Sequence, residues 1–371
     1  MDHNITYRKK NKGIQAIISY KKNGEWKQKS KQGFKTQKEA KPWIDKIVDD
    51  LKESMEADIN IEMEGTTFEE LYAMAIKHFE LYLEPCTILT YDDAVTHFTK
   101  LNKKAVTEIT SLEIQECVDV MVKKKSLKAS TIKSYLEKIK IVFDYAIEPH
   151  KIIKINPTAS VKLPKDKEKK KRIVNIKALN AAELEDLISK IERADLKLIS
   201  QIASTAGLRI GEIIGLTLDC HNYKKSEIKI YRQWKIINKA KKYGFGRVKT
   251  PNSVRTVPIS EETNEAIEKY KKDYPIDISG RLFPFSNTNN VSSILKYYYK
   301  KAGYDISVHD LRHTYASMLV GNGVDFKTVA ELMGDTVKVI IDTYSHFTGD
   351  MMANAKKAVN NIFFKLFLTT F

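Results

Sequence analysis

The stretch "LPKDKEKKKRIV" limits the fold of this chain more than any other. Its lysine run, Lys165 to Lys171, cannot enter an apolar core, because every buried ammonium would need a partner. Helix-forming sequence lies on both sides. The run therefore reads as an exposed strap between separately cored domains. A chain of 371 residues has length for two or three such domains, and 42% hydrophobic with 30% charged residues suits soluble globular ones.

Several classes drop out early. The longest apolar stretches, "VIIDTY" and "NIFFKLF", fall far short of the roughly 20 residues a membrane helix needs. The start, "MDHNITYRKKNKG", has no apolar core, so no secretory leader is expected. Cys86, Cys117 and Cys220 are few, odd in number and far apart. They argue against a disulfide framework or cysteine metal site and fit a reducing cytoplasm.

Charge gives the first positive direction. Lys and Arg total 63 against 47 Asp and Glu, a formal charge of +16. Such a surplus favours a polyanion, since cations that neutralise phosphates release condensed counterions. A merely solvated surface would mix the signs, but from Asn4 to Lys38 there are eleven basic residues and one acid, Glu25. Within that stretch "IQAIISY" reads as a strand, "NGEWKQKS" as a turn into another, and "TQKEAKPWIDKIVDDLKE" as a helix opened by a Thr36/Glu39 capping box. A small basic sheet backed by one helix is a candidate reader of a DNA major groove, with a generic basic mini-domain as the plain alternative.

Residues from about Thr66 to Pro164 carry helical periodicity in "TFEELYAMAIKHFELYL", "ILTYDDAVTHFTKL", "TSLEIQECVDVMVKKK" and "ASTIKSYLEKIKIVFDYAIEP". Thr66-Thr67, Thr110-Ser111 and Ser130-Thr131 supply polar, capping-type starts. The strap follows, placed to touch phosphates as well as to connect. The last block, about Ile176 to Ile362, opens with helices, passes through a strand-rich insert "SEIKIYRQWKIINKAKKYGFGRVKTPNSVRTVPIS", and returns to helix.

Four stretches of that block belong together: "AGLRIGEI" with Arg209, "VKTPNSVRTVP" with Lys249, "VHDLRHTYAS" with His309 and Arg312, and "ELMGDTVKVIIDTYSH" with Tyr344. In this order and spacing they resemble the tyrosine recombinases, the phage-integrase family of site-specific DNA recombinases. The resemblance implies a multidomain, mainly α protein with small β parts. Residues 1–60 would be an arm-type DNA-binding domain of three strands and a helix, and 66–160 a helical, SAM-like core-binding domain. A basic linker (161–175), a mixed α+β catalytic domain (176–362) and a C-terminal tail (363–371) would follow.

The residue types suit the chemistry. A phosphodiester carries its charge on two non-bridging oxygens, and more develops there during attack. Two guanidiniums, here Arg209 and Arg312, can donate forked hydrogen bonds to those oxygens without losing their protons, which removes the need for a metal ion. A phenol, Tyr344, can attack phosphorus and store the linkage as a phosphotyrosine ester, so that rejoining needs no ATP or other cofactor. By resemblance Lys249 protonates the leaving 5′ oxygen. His309, one turn before Arg312, would exchange a proton with the nucleophile or orient the phosphate. Glu212 and Asp219 would be supporting positions. His313 is given no chemistry, and the tyrosines from Tyr297 to Tyr299 are taken for helix packing. Lys241 and Lys242 compete with Lys249 for its role.

One position departs from the family pattern. Nine residues before the nucleophile the family usually has a histidine that donates to the phosphate, and here stands Asp335. An ionised aspartate only accepts hydrogen bonds. It is expected to turn aside and pair with an arginine, with His346 or Lys338 as substitute donor, leaving strand cleavage reduced but present. The alternative is a DNA-binding homologue that has lost catalysis. A metal nuclease built on His309 and His313 lacks accompanying ligands. The resemblance further implies double-stranded DNA attachment sites, a homotetramer on DNA docked through "NNIFFKLFLTTF", an excisionase or host DNA-bending protein as accessory, and a nucleoid location without membrane contact.

Overall fold

The computed structural model describes residues 2–10, 13–22, 25–56, 60, 63, 65–123, 127–164, 177–248, 253–276, 278–344, 356 and 359. The lysine run, Lys249, His346 and the C-terminal tail lie outside these residues. The chain divides into two units, residues 1–83 with 87–166, and residues 84–86 with 167–371. Among the described residues no helix is long and apolar enough to cross a membrane.

At the N-terminus three antiparallel strands, β1 (His3–Lys10), β2 (Gly13–Lys22) and β3 (Glu25–Phe34), form a sheet in that order. The helix α1 (Gln37–Glu56) follows. Alternation decides which face is covered: Ala16 and Ile18 point the same way and pack with Phe34 against Ala40, Ile44 and Val48 of α1. The opposite face is polar apart from Ile17, with Gln15 donating to Ser30 and Gln28 to Ser19, both at 3.1 Å. The Thr36 hydroxyl accepts from Glu39 N at 3.2 Å, but the Glu39 carboxylate accepts from Lys35 N rather than closing the box on Thr36.

The next four helices are α2 (Phe68–Phe79), α3 (Pro85–Val95), α4 (Ser111–Lys123) and α5 (Ala129–Ile147). Their apolar stripes share one core around Phe68, Leu71, Ile88, Ile114, Ile139 and Phe143, with Phe68 and Phe143 stacked at 5.4 Å. Thr67 with Glu70 makes a reciprocal capping box, as do Thr110 and Glu113. Ser130 and Thr131 do not cap: α5 begins one residue earlier, after Lys128, so both lie inside its first turn.

The C-terminal unit starts with α6 (Ala181–Ser189), α7 (Ala194–Thr205) and the short α8 (Ile210–Ile214). Five strands follow: β4 (His221–Asn222), β5 (Glu227–Ile230), β6 (Arg232–Ile236), β7 (Tyr243–Arg247) and β8 (Arg255–Pro258). They form one sheet ordered β4-β5-β8 and a separate β6-β7 hairpin. Five helices complete it: α9 (Glu261–Asp273), α10 (Thr288–Lys301), α11 (Val308–Gly321), α12 (Phe326–Met333) and α13 (Val337–Tyr344). The main core gathers Ile199 and Ile202 of α7, Ile228 and Val257 of the sheet, Leu295 and Tyr299 of α10, and Leu311 of α11. A smaller core joins Tyr315 and Val320 of α11 to Val329 and Met333 of α12 and to Ile340 and Tyr344 of α13. This second core sets where Tyr344 sits.

Gly207 turns the chain after α7 with φ +63°, and a Cβ there would stand 2.4 Å from the Tyr315 ring. Gly207→Ala should therefore cost about 2–5 kcal/mol, from left-handed backbone strain plus overpacking. A denaturant titration that gives less than about 1 kcal/mol would show that the ring gives way.

Candidate active site

The site is built on α11 and the ends of four neighbouring helices, α7, α8, α12 and α13. Asp310 fixes the start of α11 by accepting from the backbone N and the hydroxyl of Ser307, each at 2.7 Å. With that start fixed, His309, Arg312 and His313 share one side of the helix at three- and four-residue spacing. The His309 and His313 rings meet edge to face, 4.7 Å between centroids.

Arg312 is almost fully buried, at 1% exposure. Its guanidinium donates to Gly207 O just past α7, to Met333 O at the end of α12 (2.7 Å), and to one oxygen of Asp335. Carbonyls at two helix C-termini are a suitable seat for a buried cation, since each end carries partial negative charge. Burial, then the nearby Arg209, push the Arg312 pKa down to about 10, so it stays charged at neutral pH. Gly334 closes α12 in the left-handed region, φ +63°, and its carbonyl accepts from Arg209 at 3.3 Å.

Arg209 precedes α8. Its guanidinium donates to Glu212 at 3.0 Å and to the other oxygen of Asp335 at 2.6 Å. Glu212 is 2% exposed and also accepts from Arg255 at 2.9 and 3.2 Å. Burial alone would raise the Glu212 pKa, but the bonds from Arg255 and Arg209 outweigh it and hold the carboxyl below its usual range. The result is an alternating chain of charges, Arg255–Glu212–Arg209–Asp335–Arg312. Glu212 thus stands in a supporting position, holding Arg209 in place. Asp219 accepts from Thr217, Tyr231 and Arg232 at the root of the hairpin.

Asp335 keeps the nine-residue spacing to Tyr344 but does not turn aside. Its two oxygens take one guanidinium each, so the carboxylate lies between both arginines rather than pairing with one. Lys338 is exposed and is not among the residues that line the cavity.

Arg209, His309, Arg312, His313, Asp335 and Tyr344 line one cavity of about 370 Å³. Five of the six residues expected from sequence thus meet at one place, and Lys249 belongs to the undescribed stretch two residues beyond β7. Tyr344 is 1% exposed, and burial raises its phenol pKa against the opposing pull of Arg312. Its hydroxyl lies 2.5 Å from Nδ1 of His313, not against His309, which is solvent-exposed on the cavity wall. His313 is the residue that sequence reasoning passed over. The available sign was its place one turn beyond His309 on the same helix.

Comparison with known proteins agrees with this geometry. Residues 177–349 match the phage integrase family and residues 5–51 an arm DNA-binding domain. A XerC-like tyrosine recombinase of Caldanaerobacter subterraneus is 27% identical, over 94% of this chain and 96% of its own. The ICEBs1 integrase of Bacillus subtilis is 26% identical over 66% of this chain and 68% of its own. Among solved structures, the Tn1549 transposon integrase in complex with a circular intermediate DNA superposes with TM-score 0.64 at 22% identity, over 79% of this chain and 99% of that one. A lambda integrase tetramer bound to a Holliday junction superposes with TM-score 0.55 at 16% identity, over 91% and 95%. With the family match across the C-terminal unit, the arm-domain match before it and a relative aligned over nearly the whole length, the chain belongs to the tyrosine recombinase, or phage integrase, family of site-specific recombinases.

Proposed function

We propose that this protein integrates or excises a mobile genetic element by cleaving and rejoining DNA through a 3′-phosphotyrosyl intermediate on Tyr344. The observation that carries this is the shared cavity of two guanidiniums and one tyrosine hydroxyl. Arg209 and Arg312 hold the non-bridging oxygens of the scissile phosphate, and His309 stands on the cavity wall beside them. Lys249 protonates the leaving 5′ oxygen. The basic sheet at 1–60 reads arm-type sites and the helices of 66–160 grip the core site. The partner is double-stranded DNA bearing attachment sites, with four copies assembled to exchange two duplexes, and with an excisionase or a DNA-bending protein setting direction. The names of relatives such as the ICEBs1 integrase and a Lactococcus prophage integrase support the mobile-element assignment.

The Asp335 bridge favours a second reading, a homologue that binds its sites without cutting. One experiment separates the two. The protein is mixed, in EDTA, with nicked suicide duplexes carrying the element ends that flank its gene. A denaturing gel should show a DNA-linked species, and peptide mapping should place the DNA on Tyr344. Tight DNA binding with no adduct would establish the second reading instead.

A further inference from the structure

We propose that His313, through Nδ1, positions the Tyr344 hydroxyl and accepts its proton as the phenol attacks phosphorus. This rests on the strand-cleaving reading above. The carrying observation is geometric: Nδ1 of His313 is 2.5 Å from the Tyr344 hydroxyl, whereas His309 meets only the edge of the His313 ring.

The electrostatics are consistent with a base. Tyr344 is buried and resists ionisation in place, so attack as a neutral phenol is poor unless a neighbour removes the proton during the step. Burial, then the neighbouring His309, hold the His313 pKa below the ordinary imidazole range. The ring is therefore neutral at physiological pH and, with its hydrogen on Nε2, offers the Nδ1 lone pair to the hydroxyl. The charged or titratable groups around it are His309, Asp310 and Arg312 on α11, Asp335 from the turn after α12, and Tyr344 on α13.

The step balances without a cofactor. The Tyr344 O–H bond breaks and an Nδ1–H bond forms. The phenol oxygen bonds phosphorus, and the P–O5′ bond breaks. The 5′ oxygen takes a proton from an ammonium or from water. On rejoining, the 5′ hydroxyl gives its proton back to that amine or hydroxide as its oxygen bonds phosphorus, the bond from phosphorus to the Tyr344 oxygen breaks, and the His313 imidazolium returns its proton to the departing phenolate.

The test compares wild type, His313→Ala and His313→Gln for adduct formation on nicked DNA from pH 5.5 to 9. Gln retains an acceptor but takes up no proton. Both variants should bind DNA like wild type on native gels yet form adduct about 10²–10⁴-fold more slowly, the range general-base catalysis supplies. The wild-type rate should fall as pH drops below the imidazole range. The variants should instead gain rate steadily with hydroxide. Repeating the assay with a 5′-bridging phosphorothiolate, whose thiolate leaves without a proton, should leave the deficit intact. If wild type forms adduct and His313→Gln matches it, His313 is not the base. Rescue of the variants by the phosphorothiolate would move His313 to the leaving-group side and overturn the proposal. A wild type that never forms adduct defeats the strand-cleaving reading itself, and the inference with it.

Discussion

Tyr344→Phe is expected to abolish covalent capture of DNA while leaving DNA binding and folding almost untouched. The phenyl ring keeps its place in the small core with Val329, Met333 and Ile340, so the packing term is retained. What is lost is one oxygen and its bond to His313. Removing the attacking atom from a covalent catalyst costs on the order of 10⁶-fold in rate, so no adduct should be detectable on suicide substrates over hours. Native gels with the same duplexes should give retardation within about threefold of wild type, because the phosphate contacts that dominate affinity are unchanged. An adduct that persists in Tyr344→Phe would mean that another of the eighteen tyrosines is the nucleophile, and the exposed Tyr297 would be the first to examine.

How much of this was legible in the sequence follows from how local each signal is. The three-stranded sheet with its helix, the helices of the second block and the capping boxes at Thr67 and Thr110 depend on neighbouring residues and are readable from periodicity. Arg209, Arg312 and Tyr344 were reached through motif order, because nothing local tells a phosphate clamp from a surface arginine. The contacts that local pattern does not show, those of Asp335 with two arginines at once and of His313 with Tyr344, are both tertiary. Asp335 binds Arg209, 126 residues away, and Arg312, 23 residues away, and neither separation leaves a trace in local pattern. His313 meets Tyr344 across 31 residues, and only because α12 and α13 fold back against α11. Arg312 itself reads as an ordinary helical cation, yet its burial depends on carbonyls from α7 and α12.

Replacing Asp335 with histidine is expected to speed strand cleavage and, at the same time, to weaken the DNA-free protein. The carboxylate now presents two oxygens to two guanidiniums, one each, which is how the non-bridging oxygens of a scissile phosphate would be held. Being tethered, it competes at high effective concentration. DNA must evict it, at a cost of about 1.5–3 kcal/mol for charge-assisted hydrogen bonds, so Asp335→His should raise the initial rate of adduct formation roughly ten- to a hundredfold. Histidine also restores a donor where aspartate offers none. The opposite effect follows from the same contacts. Without the carboxylate, Arg209 and Arg312 face each other with no anion between them, and Arg312 is buried. Unfolding free energy should fall by roughly 1–3 kcal/mol in anion-poor buffer. Phosphate or sulfate should recover part of that loss by binding only the folded state. Asp335→Asn separates the two effects of the histidine: it removes the charge without supplying a new cation, and should give an intermediate rate with a similar loss of stability. If neither variant changes the rate of adduct formation, the carboxylate does not occupy the phosphate's seat, and the alternating charges from Arg255 to Arg312 serve only to hold α8, α11 and α12 together.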